Sequence, residues 1–374
     1  MRGAGMTKRR NSGFSLIELL LALALGLVIT AGIVQLFVGN NQTYRVLQGQ
    51  ARLQEGARYA LEFISESARA AGYFGCDPDS NKRWHTLNAG ANWASLFEVD
   101  IRQSVVGFEY TGGGGTSVAS WTPSAVVLPR QGAGTTTPIP ANGIDMSTII
   151  PETDILALRR VDSPGERIAG VVQPTTNPIR VIDDGDVDFS ADDFAVIGNC
   201  EQAAVFRVTG VGNAFGDVTL NWDAGVGGGI AVYQNAAGAT LSAQSVAYGN
   251  ATDPQGSTVS RITTDIYFIA EGSGTNNFNQ ATRSLWRKSG TNPPVELVEG
   301  VRDLQVWYGI DTTPVDDIVT PNRYVTADQI AADDIVRALR VQIVASTIDV
   351  VSDNANDEPI TRTFSQTISL RNSG

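Results

Sequence analysis

The sequence predicts an α+β protein, a long N-terminal helix packed on a large β-rich head. Three observations carry that prediction. Leu19 to Val38 is an uncharged run of 20 residues. Apolar positions then continue at helical spacing as far as Ala71. Beyond Gly72 the chain changes to short alternating segments separated by Gly, Thr, Asn and Asp. With 374 residues and 42% hydrophobic content, the chain can fill one or two globular units. It has too little apolar sequence for a polytopic membrane protein.

Within the uncharged run only Gly26, Thr30, Gly32 and Gln35 interrupt the large aliphatic residues. A helix of about 20 residues spans a hydrocarbon core of roughly 30 Å. The leader before Phe14 holds Arg2, Lys8, Arg9 and Arg10 and no acid. Positive charge on that side keeps the leader in the cytoplasm and sends the rest outward. A secretory signal would end in a small-residue cleavage site, and Val34 to Asn41 (VQLFVGNN) offers none. The segment therefore reads as a single-pass anchor.

Glu18 does not fit a plain anchor. A carboxylate deep in a membrane helix costs about 2.5–3.5 kcal/mol, less near the interface, and such a group normally has a partner. No Lys or Arg lies within two turns on its C-terminal side. A cut between Gly13 and Phe14 would create one, a new α-amine four residues before Glu18.

The helical pattern resumes after the run. Leu53, Ala57, Ala60, Leu61, Ile64, Ala68 and Ala71 form one stripe, with Arg52, Glu55, Arg58, Glu62, Glu66 and Arg69 mostly off it. Gly72 is the expected stop. One helix from Phe14 to Ala71 would be about 85 Å long. With no proline in it, any bend should fall at Gly26, Gly32 or Gly39.

Strands are expected at 154–161, 203–211, 264–272, 284–290, 301–311, 335–347 and 362–372. In the fifth, Leu304, Val306, Tyr308 and Ile310 share a face; in the last, Phe364, Ile368 and Leu370 do. Residues 112–134, 225–250 and 272–281 read as glycine-rich and polar loops. The six tryptophans read as core or sheet packing.

Net charge is −12, leaving about −16 on the body once the four leader cations are set aside. That balance argues against direct nucleic-acid binding. Cys76 and Cys200 are separated by 123 residues, which excludes a local redox or zinc pair. In an exported body they permit a disulfide worth about 4–5 kcal/mol on the chain-entropy view; the alternative is two separate buried thiols.

Enzymatic and metal readings are poor. GVGNAFG (210–216) lacks the helix a dinucleotide loop needs and reads as a hairpin loop. Asp184, Asp186 and Asp188 alternate like calcium ligands. However, Phe189 stands where the sharp turn needs glycine and Ala195 where a bidentate Glu belongs. The segment reads as a solvated acidic loop, with a calcium loop of another geometry as the lesser alternative. The lone His85 builds no triad or metal cluster and reads as a surface or capping residue. No catalytic residue and no cofactor is expected.

The stretch KRRNSGFSLIELLLALALG resembles the class III signal of type IV pilins and type II secretion pseudopilins. The resemblance implies cleavage after Gly13 by a prepilin peptidase and N-methylation of Phe14. It also implies that Glu18 sets assembly register by compensating the new amine. A narrower resemblance, to the PilW-type minor pilins, lies in ARAAGYFGC (68–76), NCEQAAVFRVTG (199–210), LVEGVRDLQVWYGIDTT (297–313), VRALRVQIVAST (336–347) and the terminal TISLRN. It implies a cleaved leader over 1–13 and a spine helix over 14–72, transmembrane over 14–38. The head then occupies 73–374, with sheet regions at 73–260 and 261–374. Implied partners are other minor and major pilins, the prepilin peptidase, the inner-membrane assembly platform and a tip adhesin. The head would face the periplasm before assembly and the fibre tip after it, supporting adhesion, twitching motility and DNA uptake indirectly. Alternatives are a J-like minor pseudopilin of a type II secretion system and a signal-anchored ectodomain with a binding or enzymatic role.

Overall fold

The computed structural model describes residues 15–74, 82–88, 93, 96–112, 121–123, 144, 146–162, 165–226, 233–242, 247–249, 256–290, 292–312, 320–331, 334–350 and 357–370. The spine is one α-helix, Leu16–Ala70, 55 residues and about 80 Å long. It runs unbroken through Gly26, Gly32 and Gly39. The hydroxyls of Thr30 and Thr43 donate to the carbonyls of Gly26 and Gly39, at 2.8 and 2.9 Å, which satisfies them within the helix. The helix ends at Ala70, and Gly72 then takes the left-handed φ of +78° that glycine adopts without strain. Its N–H donates to the Arg159 carbonyl at 2.9 Å, fastening the end of the spine to the head.

The expected stripe is the buried one. Leu53, Ala57, Ala60, Ile64 and Ala68 are in the core, while residues 16–45 have no buried side chain. The alanines let the sheet approach closely. Ser67 adds a polar tether, its hydroxyl 2.9 Å from Asp265 Oδ2 and 2.8 Å from the Tyr267 hydroxyl.

The largest sheet has the order Arg83–His85, Ala203–Arg207, Phe194–Gly198, Thr258–Thr275, Ile155–Val161, Val105–Tyr110, Trp121–Pro123. Glu166–Arg167 and Ala281–Ser289 also pair with Thr258–Thr275, and Val295–Glu299 pairs with Ala281–Ser289. Only the first pair is parallel. The 18-residue strand Thr258–Thr275 is about 60 Å long at 3.3 Å per residue. It pairs along its length with Phe194–Gly198, Ile155–Val161 and Ala281–Ser289 in turn.

A four-stranded sheet, Arg323–Val325, Val301–Asp311, Ile335–Ser346, Thr361–Ser369, and a three-stranded one, Ile179–Val181, Asp217–Asn221, Gly210–Ala214, complete the head. Leu304, Val306, Tyr308 and Ile310 all face the core, joined there by Leu339, Val341 and Ile343 and by the helix stripe. Ile368 and Leu370 are buried and Phe364 half-buried. A separate core under the three-stranded sheet holds Phe206, Trp222 and Tyr248 and no helix residue.

Several expectations need correction. The strand read at 264–272 begins six residues earlier. Strands at Val105–Tyr110 and Phe194–Gly198 were not expected. The GVGNA of the supposed loop is itself a strand, and only Phe215 and Gly216, at φ +58° and +85°, make the turn to Asp217–Asn221. Loop 112–134 lies largely outside the described residues, the described parts of 225–250 are loop with isolated bridges at Asn235 and Tyr248, and 272–281 is a hairpin end. Trp93, Trp121 and Trp222 are buried and Trp84, Trp286 and Trp307 half-buried.

Buried charges hold the irregular segment 97–103 to the sheet. Arg159, 1% exposed, donates to the carbonyls of Phe97, Asp100 and Gln103 and to the Thr264 hydroxyl. Burial pulls its pKa down to about 10. Lys288 Nζ lies 2.8 Å from Glu98 Oε1, both groups being almost wholly buried, and also donates to the Gly290 carbonyl. The largest and the four-stranded sheets meet at Asp154. Its N–H donates to the Leu304 carbonyl and its Oδ2 accepts from the Val306 N–H, both at 2.8 Å. Tyr308 fits there only because residue 107 is glycine: a Cβ would stand 1.9 Å from the Tyr308 hydroxyl.

Candidate functional site

The sequence directs attention to the start of the spine. Gly13 and Phe14 lie outside the described residues; Ser15 and Glu18 are described. Ser15 is the N-cap. Its hydroxyl oxygen accepts from the Ile17 N–H at 3.2 Å, and the Glu18 carboxylate reaches back to accept from the Ser15 N–H at 3.1 Å. This is a capping box, and it places the carboxylate at the positive end of the helix dipole. Glu18 therefore has a donor before any cut is made. The signal was present in the sequence as Ser-x-x-Glu ahead of an apolar run, and the reading by charge partners alone missed it.

Below the head the helix is apolar on every side. Leu20, Leu23, Leu27, Leu36 and Phe37 are each more than half exposed. It is long and apolar enough to cross a membrane. No soluble monomer keeps so large a bare apolar surface in water without a use for it, such as lipid or partner helices. Above it, Tyr44 and Arg45 mark the return to polar sequence.

The remaining sites are dispersed. In the acidic loop the Asp183 and Asp184 carboxylates accept from the N–H groups of Gly185 and Asp186, and Asp188 pairs with Arg261 at 3.3 Å. Among the described residues no three His, Cys, Asp or Glu side chains are placed to hold a metal ion. Cys200 lies in the exposed turn between Phe194–Gly198 and Ala203–Arg207; Cys76 lies outside the described residues. His85 is not a surface residue. It is half-buried, edge-on to Trp93 at 4.7 Å, and burial pushes its pKa down.

Comparison with protein families agrees with this division. The prokaryotic N-terminal methylation motif matches residues 8–34. The family described as type IV pilus-assembly protein W matches residues 266–372. The second match covers most of Thr258–Thr275 and the four-stranded sheet, which together close over the helix stripe. No curated protein and no solved structure matches the chain significantly. With a methylation motif on its spine and a pilus-assembly match across the sheets that clasp that spine, the chain is similar to the type IV pilins over these two segments, and the second match supports a PilW-type protein.

Proposed function

We propose that this minor pilin is cut after Gly13, N-methylated at Phe14, and incorporated at or near the tip of a type IV pilus, where it helps to start assembly. The carrying observation is the spine, capped by Ser15 and Glu18, bare and apolar to Val38, then buried along a single stripe. Such a helix can leave a bilayer only for a bundle of similar helices. Its partners are other minor and major pilins, the peptidase, the inner-membrane platform and a tip adhesin. The head is periplasmic before assembly and on the cell surface afterwards. A Cys76–Cys200 disulfide ties the chain beyond the spine to the Phe194–Arg207 hairpin.

N-terminal peptide mass spectrometry of protein from native membranes, with and without the host's prepilin peptidase, tests this. The expected product starts at methylated Phe14 and disappears without the peptidase. An uncut leader in normal cells would overturn the proposal. The same digest run with and without reductant should release the Cys200 peptide only on reduction.

Glu18→Leu keeps membrane insertion and removes both the capping bond and the charge that the Phe14 amine would meet. Carbonate-resistant membrane association should stay at the wild-type level, and recovery of the variant in sheared fibres should fall at least tenfold. Normal incorporation would sink the register role.

A further inference from the structure

A cavity of about 400 Å³ opens where the spine leaves the head toward the apolar run. One wall is the helix face carrying Arg45, Gly49 and Arg52; the other carries Glu299, Gly300 and Asp349. The walls meet closely at Gly49, where a Cβ would stand 3.0 Å from the Thr347 side chain. Arg45 and Arg52, seven residues apart, lie on one side of the helix. Charges of opposite sign thus face each other across the cavity, yet among the described residues none of the four makes an ion pair. The Glu299 Oε1 accepts from the Thr282 hydroxyl at 2.8 Å, and Asp349 is exposed.

We infer that this cavity binds the zwitterionic headgroup of a membrane phospholipid bearing a primary ammonium, with the phosphate at Arg45 and Arg52 and the ammonium at Asp349 and Glu299. This rests on the apolar run spanning a bilayer. Arg45 is seven residues past Val38, about 10 Å along the axis. The headgroup layer extends roughly 5–8 Å beyond the hydrocarbon. Helical side chains lean toward the N-terminus, here toward the lipid, and an arginine has the length to close the gap. Tyr44, 65% exposed beside it, suits the same interfacial depth. Guanidinium groups match phosphate by paired hydrogen bonds, and an ammonium offers three donors to carboxylates. A wall of each sign fits a zwitterion better than an anion alone.

The test uses the full chain in detergent, with native mass spectrometry against phosphatidylethanolamine, phosphatidylcholine and phosphatidylglycerol. The expected result is retention of phosphatidylethanolamine about tenfold over phosphatidylcholine, whose quaternary ammonium cannot donate. R45A/R52A and Asp349→Asn should each abolish that preference, R45K/R52K should keep part of it, and Arg58→Ala should leave it intact. Equal retention of all three lipids, or a preference for phosphatidylglycerol, would overturn the assignment. Carbonate extraction of the wild type runs alongside. An extractable chain defeats the membrane-spanning reading itself, whereas an embedded chain without lipid preference defeats only this inference.

Discussion

Lys288→Met lowers the stability of the head by about 3–5 kcal/mol, because it leaves the Glu98 carboxylate buried without its cation. Glu98 is 4% exposed and Lys288 2%, so neither can turn to water without opening the sheet. The loss is a large share of the 5–15 kcal/mol that holds an ordinary domain together. The double variant Glu98→Leu with Lys288→Met should recover most of it, since removing both charges also removes their desolvation cost. Guanidinium unfolding of the full chain in detergent, run on both single variants and the double, measures the coupling. Additive losses would mean that the pair does not act as one.

Asp154→Asn should do the opposite and stabilise the protein at neutral pH. Burial is the main cause that lifts the Asp154 pKa from 3.8 to about 8, with Glu109 adding like charge, and Asp303 a little more. Glu109 is itself raised by burial and by Asp328, and the buried Tyr308 hydroxyl faces the same seam. The sign follows from which state holds the proton. Below pH 4 both the folded and the unfolded chain keep it. Between pH 4 and 8 the unfolded chain releases it and the folded one does not, so stability falls by up to about 1.4 kcal/mol per pH unit. Above pH 8 the loss is complete. Asparagine can still accept the Val306 N–H and carries no charge. The variant should gain on the order of 2–4 kcal/mol at pH 7, and its stability should vary less between pH 4 and 8. Unfolding midpoints across that range check it; parallel curves for wild type and variant would refute the assignment.

The parts of the fold that the sequence made legible are those in which one periodicity serves one buried face. The stripe Leu53 to Ala68 and the strand Val301–Asp311 are of this kind, and both stand where the pattern put them. Thr258–Thr275 was read short because its first six residues, TVSRIT, carry only Val259 and Ile262 as apolar residues, without strict alternation or the bulk of the YFIA that follows. Val105–Tyr110 contains Gly107, which reads as a strand breaker until the Tyr308 hydroxyl is seen to need its space. Arg159, Lys288 and Asp154 could not be read at all. Each is an ordinary polar letter locally, and its burial depends on partners more than 50 residues away. At the spine, Glu18 stood out as an anomaly by charge, and its capping partner Ser15 was visible three residues earlier.

The spine stripe is covered by residues that come last. Leu53, Ala57, Ala60 and Ile64 share their core with Val298, Leu304, Leu339, Ile343 and Ile368, and the helix touches both Ile335–Ser346 and Thr361–Ser369. Contacts separated by some 250 to 300 residues close late, after the loop entropy between them has been overcome. On the proposed topology, a chain emerging on the far side of the membrane has its helix in place from the start, with one side uncovered until almost the whole of the head has been translocated. The time between anchoring and completion is thus set by the length of the head. A chain stopped short of residue 361 would stay tethered to the bilayer with its stripe partly open, a state that quality control can recognise by exposed apolar surface alone.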